Sequence, residues 1–185
     1  MRKPNEIIVN GKTLNEILEN HNHYLRRNVK GWGSMRANLS RTNLSDADLT
    51  GANLSDADLR YANLSDADLR DAKNIPYIPL ECPSEGSFIG WKKVDKVLIK
   101  LEIPEDARRS SATTKKCRCD KAKVLGFYDL KSTELNIDKI INHTYNTCEY
   151  KKGEMVYPDY FDEDRWYECS HGIHFFINKQ DAINY

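Results

Sequence analysis

Seven leucines stand five residues apart: Leu39, Leu44, Leu49, Leu54, Leu59, Leu64 and Leu69. Set out in fives from Ala37, the chain reads ANLSR, TNLSD, ADLTG, ANLSD, ADLRY, ANLSD, ADLRD, with Ala or Thr opening each five. Few backbones can bury such a series. Five residues turn an α-helix through about 500°, which scatters the leucines round its surface. A plain strand sends leucines an odd number apart to opposite faces. A chain that turns a corner every five residues can place every leucine inside, with the small residue fitting beside it.

The A(N/D)LXX series resembles the pentapeptide repeats. That resemblance covers about residues 35–74 and implies a short right-handed quadrilateral β-helix of about two coils, with four fives to a coil. The repeat is ten residues long in composition, ANLSD followed by ADLRx. If equivalent fives are twenty apart, the two phrases occupy alternate pairs of sides. Asp46, Asp56 and Asp66 then fall at corners of one pair. Asp48, Asp58 and Asp68, with Arg60 and Arg70, fall on the other. Could the acidic pattern imitate DNA, as members of this family that bind gyrase are thought to do? Two coils stacked at the strand spacing span only about 10 Å, against one charge per roughly 1.7 Å of duplex axis. Arg36, Arg41, Arg60 and Arg70 also offset the acids. A solvated, short solenoid is the expectation, and so short an array must lean on its flanks.

Before the array, Thr13 and Glu16 form a capping box ahead of an apolar stripe of Leu14, Ile17, Leu18, His21 and Leu25, which predicts a helix over 14–27. Its expected task is to cover the first coil. Ile7, Ile8 and Val9 before Asn10-Gly11 predict a short strand. His21 and His23 have the wrong spacing for metal on one helical face and are expected to be solvated or capping. After Asn74 the register breaks, with Ile75–Pro79 an extended exit and Cys82–Gly86 a turn. Beyond it come a hairpin around Asp95-Lys96, a strand in KAKVLGFYDL, a mixed segment turning at Gly153, a strand in GIHFFI and a helix capped by Asn178. On GIHFFI, Ile173, Phe175 and Ile177 share one face, and His174 and Phe176 the other. The expected organisation is a cap over 1–34, the β-helix over 35–76 and an α+β domain over 77–185. The stretches CPSEGSFIGWKKV, LEIPEDARRSSATTKKCRCDKAKVL and DEDRWYECSHGIHFFINKQDAINY resemble an uncharacterised domain that follows short pentapeptide arrays in bacterial and phage proteins. That resemblance implies no catalytic residue.

Three groups of side chains could carry chemistry. Arg108, Arg109, Lys115, Lys116 and Arg118, interleaved with Ser110, Ser111, Thr113 and Thr114, are either an anion site or a solvated loop paired with Asp159, Asp162, Glu163 and Asp164. Cys117 and Cys119 with Cys169, His171 and His174 offer zinc-type ligands, but the CxC and CxHxxH spacings are not those of a zinc knuckle, and no metal is expected. Cys169, His171 and His174 are candidates for a cleft. GIHFFINKQDAINY also resembles a segment of the ADP-ribosyltransferases, with His174 where an aromatic ring stacks on nicotinamide. The catalytic Glu of that family has no counterpart after His174. A Cys169–His174 nucleophile pair is the remaining enzymatic reading.

Lys plus Arg equals Asp plus Glu at 28 each, so no global field draws the chain to nucleic acid or an anionic membrane. No run is apolar enough to span a membrane, the N-terminus has no signal-type apolar region, and five cysteines are expected to stay reduced. These features predict a cytoplasmic, non-enzymatic interaction module, with a protein partner met by the C-terminal domain. No cofactor, membrane or direct nucleic-acid contact is expected, and a homodimer stays open. The alternative is a small enzyme or nucleotide/anion-binding domain using Arg108–Lys123 and Cys169–His174.

Overall fold

A computed structural model describes residues 1–75, 80–143 and 148–185. The chain divides into two compact units, Met1–Ile78 and Pro79–Tyr185. Most of the exit segment Ile75–Pro79 lies outside the described residues, as do the residues joining the two halves of the LNIDKIINHTYNTCEYKK run.

In the first unit, strands β1 (Ile8–Val9) and β2 (Lys12–Thr13) form a hairpin across Asn10 and Gly11. Both turn residues have positive φ, 51° and 80°, as a two-residue hairpin turn requires. Helix α1 (Leu14–Arg26) follows at once. The Thr13 side chain accepts from the Glu16 amide, and the Glu16 carboxylate accepts from the Thr13 amide, so two otherwise orphaned donors are satisfied.

The pentapeptides show why the motif has its letters. The second residue, Asn or Asp, accepts through its side chain from the amide of the fourth. Asn38 takes Ser40, Asn43 takes Ser45, Asp48 takes Thr50, and the pattern continues to Asp68 and Arg70, at 3.1–3.2 Å. The fifth residue lies in the left-handed region every time: Arg41, Asp46, Gly51, Asp56, Tyr61, Asp66 and Asp71. The amide after it bonds back to the leucine carbonyl, as in Ala47 to Leu44 at 3.1 Å, closing a turn at every corner. Residues twenty apart pair in parallel at Asn38–Asp58, Asn43–Asn63, Asp48–Asp68 and Asn53–Lys73. This is a β-helix-type segment. Leu39, Leu44, Leu49, Leu54, Leu64 and Leu69 are buried, whereas Leu59, which the period places inside, is half-buried.

Two devices protect the start of the array. Arg2 pairs in parallel with Ala47, taking the Asp46 carbonyl at 2.6 Å and giving its own to the Asp48 amide at 2.9 Å. His21, expected to be solvated or capping, is instead wholly buried. Its Nε2 donates to the Ser55 carbonyl at 2.8 Å, and its Nδ1 accepts from the Ala37 amide at 3.1 Å. Both bonds require the neutral ring, and burial lowers its pKa. The helix thus ties two sides of the array to itself through one imidazole.

The second unit is mostly β. Its strands are β3 (Phe88–Val94), β4 (Val97–Ile103), β5 (Arg109–Ser111), β6 (Lys116–Cys119), β7 (Ala122–Asp129), β8 (Lys139–Asn142), β9 (Cys148–Lys151), β10 (Met155–Val156) and β11 (Ile173–Phe176). Seven of them form one antiparallel sheet in the order β10-β7-β4-β3-β11-β6-β5, and β8 pairs with β9. Among the described residues of this unit the helical share is the six-residue α2 (Lys179–Asn184), so the α+β expectation takes the form of a mostly β region with a short helix. Asp95-Lys96 turns β3 into β4, with Asp95 at φ 53°. Ile99, Leu101 and Ile103 of β4 enter the main core with Val124, Phe127, Ile173 and Phe175. Leu98 faces the other way, into a smaller core with Phe176 and Ala182. The alternation read along β11 therefore holds for Ile173, Phe175 and Phe176. Gly90 of β3 is needed where it stands, because a Cβ there would lie 2.6 Å from the ring of Phe175.

Candidate functional site

The five cations expected to surround an anion each have other partners. Arg108 holds Asp120 at 2.9 Å and Glu163 at 2.7 Å. Arg109 spends its guanidinium on the carbonyls of Pro83, Gly86, Pro104, Glu105 and Ala107, which pins the segment before β3 to the one after β4. Lys115 pairs with Asp181 at 3.1 Å. Arg118, buried, reaches the Asp164 carbonyl at 2.7 Å. Lys116 lies against the Cys169 sulfur. The hydroxyls between them do hold an anion, but it is the chain's own. One oxygen of Glu168 accepts from the Thr113 amide, from its hydroxyl at 2.8 Å and from the Thr114 amide at 3.1 Å; the other accepts from the Thr114 hydroxyl at 2.7 Å. Glu168 carried no signal in the sequence, because 54 and 55 residues separate it from its donors.

Among the described residues no group of three or more His, Cys, Asp or Glu could hold a metal ion. Cys117 and Cys119 point into the core from β6. Contact with Cys82 and then burial push the Cys117 thiol up, and burial does the same to Cys119.

Cys169, His171 and His174 do come together, along one wall of a cavity of about 340 Å³ in the second unit. That wall is formed by the end of the sixteen-residue connection between β10 and β11 and by the start of β11. That connection is ordered by its own side chains: Asp162 and Asp164 accept from the amides two residues on, and Ser170 donates to Asp162. His171 faces Asp159 at 3.1 Å, with the Tyr160 ring edge-on at 5.8 Å. His174 donates from Nε2 to the Glu168 carbonyl at 3.1 Å. Burial first, then the charges of Lys92, Lys116 and Arg118, hold its pKa down at about 3, so the ring is neutral at physiological pH.

β3 and β9, which sequence reading did not connect with the cavity, line it as well. Lys92, Lys93, Cys148 and Tyr150 line it, with Tyr157 and Tyr185. Lys93 is tied to the Ile183 carbonyl at 2.9 Å. Lys92 donates to the His174 carbonyl at 3.3 Å and lies 6.0 Å from the centre of the Tyr150 ring. Among the described residues no carboxylate lies within ion-pair distance of it, and burial lowers its pKa. A cation drawn out of water without a counter-charge is an uncompensated cost that an anionic ligand relieves.

On the first unit, the outward acids are partly neutralised in place. Arg60 grips Asp58 at 2.7 Å, holding that carboxyl at about 2, and Arg70 grips Asp68 in the same way.

The molecule is thus a pentapeptide-repeat segment followed by a mostly β domain. Residues 37–73 match the model of the pentapeptide repeats in eight copies. Residues 78–182, more than half of the chain, match the family of unknown function DUF5758, and the chain belongs to that family. No curated protein and no solved structure matches it. Among the described residues no helix is long and apolar enough to cross a membrane.

Proposed function

We propose that this chain is a protein-interaction module whose C-terminal domain takes an acidic group of its partner into the cavity beside Lys92. The observation that carries the reading is that Lys92, which lines a cavity of about 340 Å³ together with Asp95 and Asp159, has no carboxylate within ion-pair distance among the described residues. The volume suits a side chain or chain end. Tyr157 and Tyr185 line the same cavity while 62% and 71% exposed. Tyrosine at the edge of a pocket is the kind of residue that anchors protein interfaces. A structureless connection as long as that between β10 and β11 is also uncommon outside functional sites.

The repeats are proposed to close into about two coils of a four-sided right-handed β-helix, a reading supported by the twenty-residue spacing of the parallel pairs. Its part is that of a short solenoid, not of a nucleic-acid mimic, since Asp58 and Asp68 are matched by Arg60 and Arg70. Five free thiols suit a reducing compartment such as the cytoplasm, and the suggested setting remains a bacterial or phage protein.

The test is selection from a random-peptide library displayed on phage, against the wild type and against Lys92→Met. Enrichment of peptides with Asp, Glu or a free C-terminal carboxylate, lost on Lys92→Met, is the expected result. Absence of any enriched peptide, or enrichment unchanged by the substitution, overturns the reading.

A further inference from the structure

Lys116 opens β6 and is only 7% exposed. Its Nζ lies 3.2 Å from the Sγ of Cys169 and 5.5 Å from the centre of the Tyr185 ring. Among the described residues no carboxylate is within ion-pair distance of it. Glu168, next in sequence to Cys169, has both oxygens engaged by Thr113 and Thr114. Burial pulls the Lys116 ammonium down, yet its contact with Cys169, together with the nearby Tyr185 and Glu168, holds it above its ordinary value. Among the described residues the Cys169 sulfur is the hydrogen-bond acceptor that this buried ammonium meets, and a fixed cation beside a sulfur suits thiolate chemistry there.

Cys169 differs from its fellows on the other count as well. Cys82, Cys117 and Cys119 are buried and Cys148 is half-buried, whereas Cys169 is exposed and borders the cavity. The enzymatic pairing with His174 does not supply its counter-charge, because burial and the neighbouring cations hold that ring neutral. The counter-charge is Lys116, 53 residues away in sequence.

We infer that Cys169, with Lys116 as its fixed counter-ion, is a thiol-exchange site that forms mixed disulfides with small disulfides of the glutathione class. The anionic Sγ attacks one sulfur of the small disulfide in line with its S–S bond. That bond breaks, a Cys169–S bond forms, and the other half leaves as a thiolate that takes a proton from water. Cys169 is oxidised, the departing half is reduced, and no further oxidant is required. The adjoining cavity receives the attached group, whose carboxylates would meet Lys92. A second thiol reverses the step. The site does not depend on a protein partner, so it stands or falls apart from the interaction reading.

The test uses the full chain and oxidised glutathione near neutral pH, with adducts assigned by peptide mass mapping and rates followed with time. The expected result is a first adduct at Cys169, removed by dithiothreitol and forming about tenfold or more faster than at the same cysteine in the urea-unfolded chain. Lys116→Met should cut the native rate about tenfold, Lys116→Arg should keep most of it, and Lys115→Met should leave it unchanged. If Lys116→Met does not fold, the native-to-unfolded comparison decides alone. A first adduct at Cys148, a native rate no faster than the unfolded one, or equal rates in the wild type and Lys116→Met overturns the inference.

Discussion

His174 makes the second unit sensitive to acid, and the size of the effect follows from its surroundings. The ring sits against the Glu168 carbonyl, with Lys92, Lys116 and Arg118 near enough to oppose a further positive charge. Its pKa is about 3 in the fold, against about 6.5 in the unfolded chain. The folded value is the lower one, so the unfolded state binds the extra proton first. Stability from this source is complete above about pH 6.5 and is lost as pH falls toward about 3. At pH 5 the unfolded chain has already gained about one and a half pH units of protonation free energy, which is ~2 kcal/mol. With a urea dependence of about 1–3 kcal/mol per molar, the unfolding midpoint should drop by ~1 M between pH 7.5 and pH 5 from this residue alone. His174→Gln removes the titration while leaving an amide that can donate to the same carbonyl. Urea unfolding of both proteins at the two pH values isolates the contribution, because every other titrating group is shared. A shallower pH dependence in His174→Gln, by ~2 kcal/mol, is expected. Equal pH dependence in the two proteins would refute the burial argument, as would an NMR titration placing the folded ring near its ordinary value.

Three further substitutions probe the fold and the site. Leu54→Asp should destabilise the first unit by several kcal/mol, because it puts an unpaired carboxylate at a position only 2% exposed; Asp56→Asn, at an exposed left-handed corner that Asn also tolerates, should leave the melting temperature unchanged. Gly90→Ala should cost about 1–3 kcal/mol in thermal unfolding by driving a methyl into the buried Phe175 ring, and a melting temperature equal to wild type would disprove that close approach. Glu168→Ala should lower stability by about 1–3 kcal/mol by orphaning the donors of Thr113 and Thr114. Millimolar acetate should then stabilise this variant more than the wild type, and equal responses would mean that the donors do not form an anion receptor.

What the sequence settled is what short-range chemistry dictates. The second letter of each pentapeptide satisfies an amide two residues away, the fifth turns the corner, and the third is carried inward, so the geometry repeats with the letters. The same holds for the Thr13–Glu16 capping box, the Asn10-Gly11 and Asp95-Lys96 turns and the two faces of β11, each set within a few residues. His21 was half legible: it stands in the apolar stripe of α1, but its partners, Ala37 and Ser55, belong to the array. In the second unit only the tertiary structure decided the chemistry. β11 is the last strand in the chain, yet it lies between β3 and β6, antiparallel to both. That insertion sets Lys92 under the His174 carbonyl, and the connection leading into it carries Glu168 to Thr113 and Thr114 and Cys169 to Lys116. The basic run therefore reads as an anion site along the chain, while in space its cations meet partners within the chain. Residues more than fifty positions away had already supplied its carboxylate and its sulfur, and no local rule of spacing or propensity reports a pairing at that distance.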